Sequence, residues 1–275
     1  MLSTALRHTL LTAALRAVPP AARRPAVRCC GSAPPASGVP AALGEIRQRL
    51  AEAADGSSSS STPRLVAVSK TKPAELLLEA YDAGQRDFGE NYVQELVEKA
   101  PQLAERAPDI AWRFIGKLQS NKAKPLLQGV PGLVAVETVT SSKLADKLQT
   151  AAAAAKPPRA KPLDVFLQID TSPWEGTKNG LTPDEALTLA SHIVAGCPAL
   201  RLAGLMTIGA PGDSSCFDTL RACRESLAEK LSVPAESLEL SMGMSGDFEE
   251  AIRAGSTSVR VGSSIFGARD YPAKA

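Results

Sequence analysis

Short apolar segments alternate with amphipathic segments of helical periodicity from Arg64 until near the C-terminus. We expect the apolar segments to form strands at 65–69, 85–88, 111–115, 133–137, 163–169, 202–207, 238–241 and 258–261. The expected helices lie at 41–54, 74–83, 93–106, 121–128, 142–155, 183–195, 217–230 and 247–254. Near-continuous apolar strands that alternate with helices indicate a buried parallel sheet joined by right-handed crossovers.

Eight such strands within about 210 residues predict an α/β protein with a (β/α)8 barrel of the TIM type. A doubly wound open sheet is the alternative, but no GxGxxG motif follows the first strand to support it. Only residues 262–275 follow the last strand, which is too little for a second domain. We therefore expect a single barrel domain over residues 41–275.

The composition excludes several classes of protein. The chain of 275 residues is 44% hydrophobic and 22% charged, which describes a globular protein with a full core. A net charge of +2 gives no general field for a polyanion, and we find no nucleic-acid-binding motif, so we expect no nucleic-acid partner. No segment approaches the roughly 20 apolar residues of a membrane span, so we expect no membrane partner.

Histidine and cysteine chemistry is also disfavoured. The two histidines, His8 and His192, lie far apart in the sequence, which leaves little material for a catalytic triad or a His-rich metal cage. The five cysteines show no paired metal spacing: Cys29, Cys30, Cys197, Cys216 and Cys223. We interpret all five as incidental to function in a reducing compartment, and we predict no metal site.

The N-terminal segment differs in charge from the rest of the chain. Residues 1–44 contain five Arg and no Asp or Glu, whereas the remaining residues carry 26 Lys and Arg against 29 Asp and Glu. An Arg-rich, acid-free segment with an amphipathic start is typical of an organellar transit peptide. We interpret residues 1–40 as such a peptide and expect a mitochondrial location. Plastid import, a cytoplasmic location and a disordered tail without an address are the alternatives.

In a barrel of this kind, functional side chains collect at the C-terminal ends of the strands. Lys70 follows the first apolar strand, so we expect its amine to lie partly desolvated at the barrel mouth. Burial and the charges of Lys72 and Arg260 would lower its pKa toward the neutral amine, the form that attacks a carbonyl to make a Schiff base. A solvated strand-end lysine is the alternative. If Arg260 points inward, it needs an acceptor such as a ligand nitrogen or carboxylate.

Two loops rich in small residues follow the seventh and eighth strands. We expect Ser245 at the start of the next helix, where its hydroxyl and the free N–H groups behind it face an anion. Gly243 lets the backbone approach closely, and residues 262–264 supply a second turn with accessible N–H groups. Together the loops predict a phosphate site, although Gly and Ser that merely fill tight loops give the same pattern.

Six ordered segments carry a resemblance to a known family: LVAVSKTKP, GQRDFGENYVQEL, WRFIGKLQSNK, GLMTIG, LELSMGMSGDFEEAI and AGSTSVRVGSSIFGARDY. They resemble the pyridoxal 5′-phosphate homeostasis proteins, single-domain relatives of the alanine racemase barrel in fold type III. The resemblance covers the chain from about residue 41 to the end. It implies pyridoxal 5′-phosphate as the cofactor, in a barrel without the C-terminal β-domain of the racemases.

The resemblance implies these cofactor-binding residues: Lys70, Asn91, Met206, Ser245, Arg260, Gly262 and Ser263. Lys70 would hold the cofactor as an internal aldimine, and Arg260 would face the pyridine nitrogen. Ser245 and the N–H groups of Gly262 and Ser263 would form the phosphate cup. Asn91 and Met206 would line the pocket. Two positions depart from the family: Lys117, which adds a cation near the mouth, and the loop at 170–180.

The resemblance also bears on activity. An arginine opposite the ring nitrogen weakens the electron sink that many reactions of this cofactor need. Racemases of this fold take a catalytic tyrosine from a second domain, which we do not expect here. We therefore predict a carrier in intracellular vitamin B6 homeostasis, without robust catalysis, as a monomer or weak dimer. Delivery to apo-enzymes is a further role. An amino-acid racemase and a phosphosugar-type barrel enzyme are the alternatives.

Overall fold

Eight parallel strands close into a barrel in which each strand pairs with its neighbours in chain order. The computed structural model describes residues 38–55, 62–172, 180–210 and 212–268. The strands are β1 Arg64–Val68, β2 Asp87–Glu90, β3 Ala111–Phe114, β4 Leu133–Val139, β5 Leu163–Gln168, β6 Leu200–Met206, β7 Glu239–Met244 and β8 Ser258–Val261. Closure places Val66 of β1 beside Arg260 of β8. The predicted (β/α)8 barrel is thus confirmed.

Helices follow the strands around the outside of the barrel. They are α1 Gly38–Asp55, α2 Ala74–Asp82, α3 Val93–Leu103, α4 Ala123–Gly129, α5 Ser142–Ala153, α6 Pro183–Gly196, α7 Ser215–Leu231, α8 Phe248–Arg253 and α9 Ser263–Phe266. Two starts follow from capping residues. The Ser141 hydroxyl accepts a hydrogen bond from the Leu144 N–H, and Thr182 forms a reciprocal capping box with Glu185.

The main hydrophobic core lies between the strands and the helices. Outward-facing strand residues such as Phe88, Val259 and Val261 are fully buried there. Helix α1 precedes the barrel and packs against α2, α8 and α9, with Leu43 and Ile46 buried. Its amphipathic pattern predicted this helix, although the observed helix begins three residues earlier than the expected one.

The inside of the barrel is more polar than the apolar strand segments suggest. Side chains of alternate residues face inward along each strand, and those of Arg113, Glu137, Ser241 and Arg260 form a continuous network. Arg113 Nη1 lies 3.2 Å from Glu137 Oε1, and the Ser241 hydroxyl donates to Glu137 Oε2 at 2.6 Å. The same hydroxyl accepts from Arg260 Nη1 at 2.7 Å. Charges that would be costly alone are therefore paired.

Three expected strand ends differ from the observed ends by two or three residues. Glu137 and Ser241 lie inside strands that run on to Val139 and Met244, so both face the barrel interior and not its mouth. Strand β2 begins two residues later than expected, which places Glu90 at the end of the strand itself. The interior network pairs Glu137 and Ser241, and Glu90 Oε1 accepts from Ser69 and Lys99, whereas Glu90 Oε2 has no hydrogen-bond partner among the described residues. Strands can therefore include polar residues that local hydropathy assigns to loops.

Among the helices within the described residues, none is long and apolar enough to cross a membrane.

Candidate functional site

A cavity of about 420 Å³ opens at the C-terminal ends of the strands. The seven residues that the sequence predicts for a cofactor site all line it: Lys70, Asn91, Met206, Ser245, Arg260, Gly262 and Ser263. They come from the ends of five strands, which only barrel closure brings together. Their roles in binding stay predictions.

The loop after β1 carries Lys70 to the cavity. Strands β1 and β8 are neighbours, and their ends approach so closely that a Cβ on Gly262 would lie 3.1 Å from the Val68 carbonyl oxygen. Lys70 therefore lies in the same region as Arg260. The next residue, Thr71, has φ of 62°, a left-handed conformation that non-glycine residues rarely adopt. The backbone of this loop is thus held in an unfavourable conformation next to the lysine.

A buried network between the barrel and α3 holds the Lys70 loop. Lys99 Nζ donates to Glu90 Oε1 at 2.6 Å, to Glu95 Oε1 at 2.7 Å and to the Ser69 carbonyl at 3.0 Å. Glu95 Oε1 also accepts from the Thr71 N–H at 2.6 Å, so it contacts the strained residue directly. Burial raises the pKa of Glu90, while the Lys99 ammonium and the Ser69 hydroxyl counteract the rise. Sequence reasoning missed this network, because the glutamates and Lys99 look like ordinary charges of β2 and α3.

Arg260 is 5% exposed and is fixed by three hydrogen bonds. Its Nη1 donates to the Ser241 carbonyl and hydroxyl, both at 2.7 Å, and its Nη2 donates to the Thr207 carbonyl at 2.6 Å. Burial lowers its pKa, and the charges of Glu137 and Asp247 act in the opposite direction. The protein itself supplies acceptors that the sequence analysis assigned to a ligand. These bonds use three of the five guanidinium donors, and they fix the orientation of the group at the cavity wall.

The expected phosphate loops differ in detail from the prediction. Ser245 lies in a turn before α8 and is not its cap, which is Asp247. The Asp247 carboxylate accepts from the Met244 N–H at 2.5 Å and so fixes that turn. The Gly262 N–H, expected to be accessible, donates to the Ser245 hydroxyl at 3.2 Å. The two loops therefore contact each other, with Ser263 beginning the short helix α9.

Gly243 was expected to let the backbone approach a phosphate, but the structure gives it a different role. It does not belong to the residues that line the cavity. Its φ is 95°, and a Cβ at this position would lie 2.6 Å from Ala251 Cβ in α8. Glycine is therefore needed here to let β7 and α8 pack, and not to admit a phosphate.

Asn91 and Met206 complete the cavity wall. The Asn91 Oδ1 atom is buried and has no hydrogen-bond partner among the residues that the structure describes. Gly116 allows the Asn91 backbone to lie this close to the neighbouring strand, because a Cβ at residue 116 would lie 2.0 Å from the Asn91 carbonyl oxygen. Met206 is 1% exposed and packs with Phe166 in a small separate cluster inside the barrel. Asn91 and Met206 thus form part of the cavity wall, while the Asn91 amide oxygen itself is buried behind that wall.

Other predicted features lie outside the cavity or outside the described residues. Lys117 is exposed and is not one of the lining residues, so the structure does not place the extra cation at the cavity wall. Lys72 does line the cavity, and its Nζ donates to the Ala268 carbonyl at 2.5 Å. Most of the loop at 170–180 lies outside the described residues, as do Cys29, Cys30 and residues 1–37 of the segment interpreted as a transit peptide. Residues 38–40 of that segment belong to α1.

Comparisons with known proteins agree with the fold. Residues 42–270 match the model of the alanine racemase N-terminal domain. A Mus musculus protein named pyridoxal phosphate homeostasis protein is 51% identical over 220 residues, which cover 77% of this chain and 79% of the mouse protein. The Homo sapiens protein of the same name is 50% identical over 220 residues, covering 77% of this chain and 78% of the human protein.

A solved structure supports the same assignment. PipY of Synechococcus elongatus, described with PLP bound, is 31% identical with a TM-score of 0.68, covering 83% of this chain and 100% of PipY. Together with the family model and the two mammalian relatives, this likeness shows that the chain belongs to the pyridoxal phosphate homeostasis protein family, which shares the barrel of the alanine racemase N-terminal domain.

Proposed function

We propose that this chain binds pyridoxal 5′-phosphate in the cavity at the C-terminal ends of the strands and acts in vitamin B6 homeostasis as a carrier. The observation that carries the proposal is the convergence of Lys70, Ser245 and Arg260 on one cavity. Its volume of about 420 Å³ falls within the range of roughly 300–1,000 Å³ that is common for small-molecule sites. The names of the relatives point to the same ligand.

The residues present fit this cofactor. When bound, pyridoxal 5′-phosphate supplies an aldehyde that condenses reversibly with a primary amine, and Lys70 offers that amine. The Ser245 hydroxyl and the N–H groups at the start of α9 would hold the phosphate, in a turn that the Gly262–Ser245 hydrogen bond already orders. Arg260 would present its fixed cation to the ring nitrogen, and Asn91 would line the pocket near the cofactor.

We further propose that the protein has no robust catalytic activity. A buried Arg260, tied to Ser241 and Thr207, stays protonated and keeps an adjacent ring nitrogen unprotonated, which weakens the electron sink. Neither Tyr81 nor Tyr92 lines the cavity. The described part of the cavity therefore offers few groups that could move a proton on the opposite face of a substrate.

The visible absorption spectrum tests cofactor binding. Purified protein mixed with pyridoxal 5′-phosphate should develop a visible band, and borohydride should convert the ligand into a stable adduct that peptide mapping places on Lys70. Lys70→Ala should abolish the band, whereas Lys117→Ala, which removes an exposed lysine outside the cavity, should keep it. Absence of the band from the wild-type protein contradicts the proposal.

Two further assays separate the alternatives. Ser245→Ala should weaken cofactor retention by about 1–3 kcal/mol, the range for a lost hydrogen bond to a charged group, and unchanged affinity would place the phosphate elsewhere. Incubation with L-alanine or L-serine should give no D-isomer at enzymatic rates. Formation of D-isomer at such rates would make the protein a racemase.

We also propose a mitochondrial location, supported by the acid-free segment 1–44 with its five Arg residues. A reporter fused to residues 1–44 should enter mitochondria in cells. A matched fusion with all five arginines replaced by glutamine should stay in the cytosol. A reporter that ignores the wild-type segment contradicts this location.

A further inference from the structure

Three potential metal ligands meet on the outer helical layer, away from the cavity. Asp146 lies on α5, His192 lies on α6, and Cys197 caps the C-terminus of α6. Their ligand atoms all lie within 4.8 Å of one another. His192 Nε2 and Asp146 Oδ1 are 2.7 Å apart. None of the three lines the cofactor cavity, so the group is separate from the proposed function.

The surrounding backbone fixes these positions. The Cys197 N–H donates to the Ile193 carbonyl at 3.0 Å, and the Cys197 carbonyl accepts from the Leu200 N–H at 2.9 Å. Gln149 of α5 accepts from the Ala199 N–H at 2.8 Å, which ties that helix to the turn after α6. The thiol belongs to a residue that is 2% exposed. The relative placement of the two helices is therefore held by contacts other than those of the three side chains.

We propose that Asp146, His192 and Cys197 bind a divalent transition-metal cation of the zinc type. Thiolate sulfur, imidazole nitrogen and carboxylate oxygen are the protein ligands that zinc prefers. In a tetrahedral site with bond lengths of 2.0–2.3 Å, neighbouring ligand atoms are roughly 3.3–3.8 Å apart. The observed separations require only small side-chain rotations, which the part-exposed Asp146 and His192 can make.

The charges and protons balance in this arrangement. Binding of the cation releases the Cys197 thiol proton to solvent, and the neutral His192 ring offers a nitrogen lone pair. Two anionic ligands, Asp146 and the Cys197 thiolate, then neutralise the divalent charge. Because three protein ligands are present among the described residues, water fills the fourth position. This is the open coordination of a site that can exchange ligands.

Cobalt(II) is the probe that tests the site, because it replaces zinc and reports sulfur ligation by absorption. The untagged full chain with Cys29→Ser and Cys30→Ser, treated with a chelator, should develop a thiolate-to-cobalt band and visible d–d bands on titration with Co²⁺. Cys197→Ser should remove the thiolate band. His192→Gln and Asp146→Asn should each weaken Co²⁺ affinity at least tenfold while leaving the circular dichroism spectrum unchanged.

Matched controls separate the site from other thiols and from the cofactor. Cys223→Ser removes a buried thiol of α7 and should keep the band, as should Lys70→Ala. Zinc(II) should displace the cobalt and bleach the spectrum. Failure of the parent chain to give a thiolate band, or a band that survives Cys197→Ser, overturns the proposal. Neither result affects the cofactor proposal, which has its own readout at Lys70.

The expectation of no metal site rested on the absence of paired Cys or His spacings from the sequence. The three ligands of this group come from two helices and occur singly in the sequence, with Asp146 lying 46 residues before His192. Helix packing alone brings them together.

Discussion

Thr71 shows how individual residues hold the Lys70 loop, the segment that follows β1. A non-glycine residue at positive φ costs about 1–3 kcal/mol, and such strain persists only where surrounding contacts enforce it. Here Glu95 accepts from the Thr71 N–H, and Lys99 holds Glu95 in turn. The residue next to Lys70 is thus fixed from outside the cavity, which limits the positions that the lysine amine can take.

Glu95→Gln should therefore weaken cofactor binding without touching the cavity. The neutral amide is a poorer acceptor for both the Thr71 N–H and the Lys99 ammonium, so we expect cofactor affinity to fall about tenfold, or about 1.4 kcal/mol. A titration followed by visible absorption measures the change. Glu98→Gln on the same helix, where the carboxylate is exposed and bonded to Gln94, should leave affinity unchanged. Equal affinities of the two variants would show that the network does not position the loop.

Cys216 is expected to be chemically inert in the folded protein. Burial, followed by the charge of Asp213, raises the pKa of its thiol to about 11. Since the thiolate is the nucleophile, iodoacetamide at pH 8 should modify Cys216 much more slowly in the folded protein than in urea. Because the folded pKa is raised, this thiol's contribution to stability is full below the unfolded pKa and is lost as pH rises toward 11. Peptide mapping by mass spectrometry measures the labelling, and equal rates in both states would contradict the prediction.

At the scale of elements, β7 and α8 depend on one glycine. Strand β7 shifts register against β8 between Ser241 and Met244, and Gly243 lies within that irregular part. Its positive φ and its approach to Ala251 leave no room for a side chain. The shift also places Met244 beside Arg260, which brings the Ser245 turn to Gly262. The local packing of one strand and one helix thus shapes the proposed phosphate loops.

Gly243→Ala should lower the free energy of unfolding by about 2–5 kcal/mol, since it combines backbone strain with overpacking. Gly44→Ala provides the matched control. Gly44 lies exposed within α1, and an alanine Cβ there would meet no atom within 4 Å, so alanine should raise stability by about 0.5–1 kcal/mol. Urea unfolding of both variants measures the difference. A neutral effect at Gly243 would mean that α8 can move away at little cost.

At the scale of the molecule, the barrel joins parts of the site that lie far apart in sequence. Lys70 lies in the loop after the first strand and Arg260 lies on the last strand, so the two are neighbours only when β1 pairs with β8. A ligand that contacts both ends of the chain should therefore favour the closed barrel over the unfolded chain.

Pyridoxal 5′-phosphate should accordingly raise the melting temperature. A ligand at 100 times its Kd stabilises the native state by about 2.7 kcal/mol, or roughly 5–10 °C for a domain of this size. Without ligand, calorimetry should find the same melting temperature for Lys70→Ala and the wild-type protein. With ligand, the melting temperature of Lys70→Ala should rise much less than that of the wild type. A full shift in that variant would argue against Lys70 as the principal anchor.

The fold could be predicted from the sequence because strands, helices and caps are encoded by residues close together in the chain. Apolar periodicity identified the eight strands and the helices α1 to α8, though not the short helix α9, and the caps at Ser141 and Thr182 marked two helix starts. The expected cap at Ser245 was wrong, because Asp247 bonds the Met244 N–H. Strand ends at Glu137 and Ser241 were misplaced for a related reason. Hydropathy cannot distinguish a polar residue that ends a strand from one that is paired inside a barrel.

The sequence by itself determined the order of the elements and the rim on which the candidate site lies, since all parallel strands of a barrel end on the same side. It also indicated Lys70 and Arg260, because one directly follows the first strand and the other lies on the last strand. Only the tertiary structure decided the Arg260–Ser241–Glu137 network, the hold of Glu95 on Thr71 and the meeting of Asp146 with His192 and Cys197. Each of these depends on side-chain direction and on strand register or helix packing, because the partners lie on different elements and no local pattern connects them.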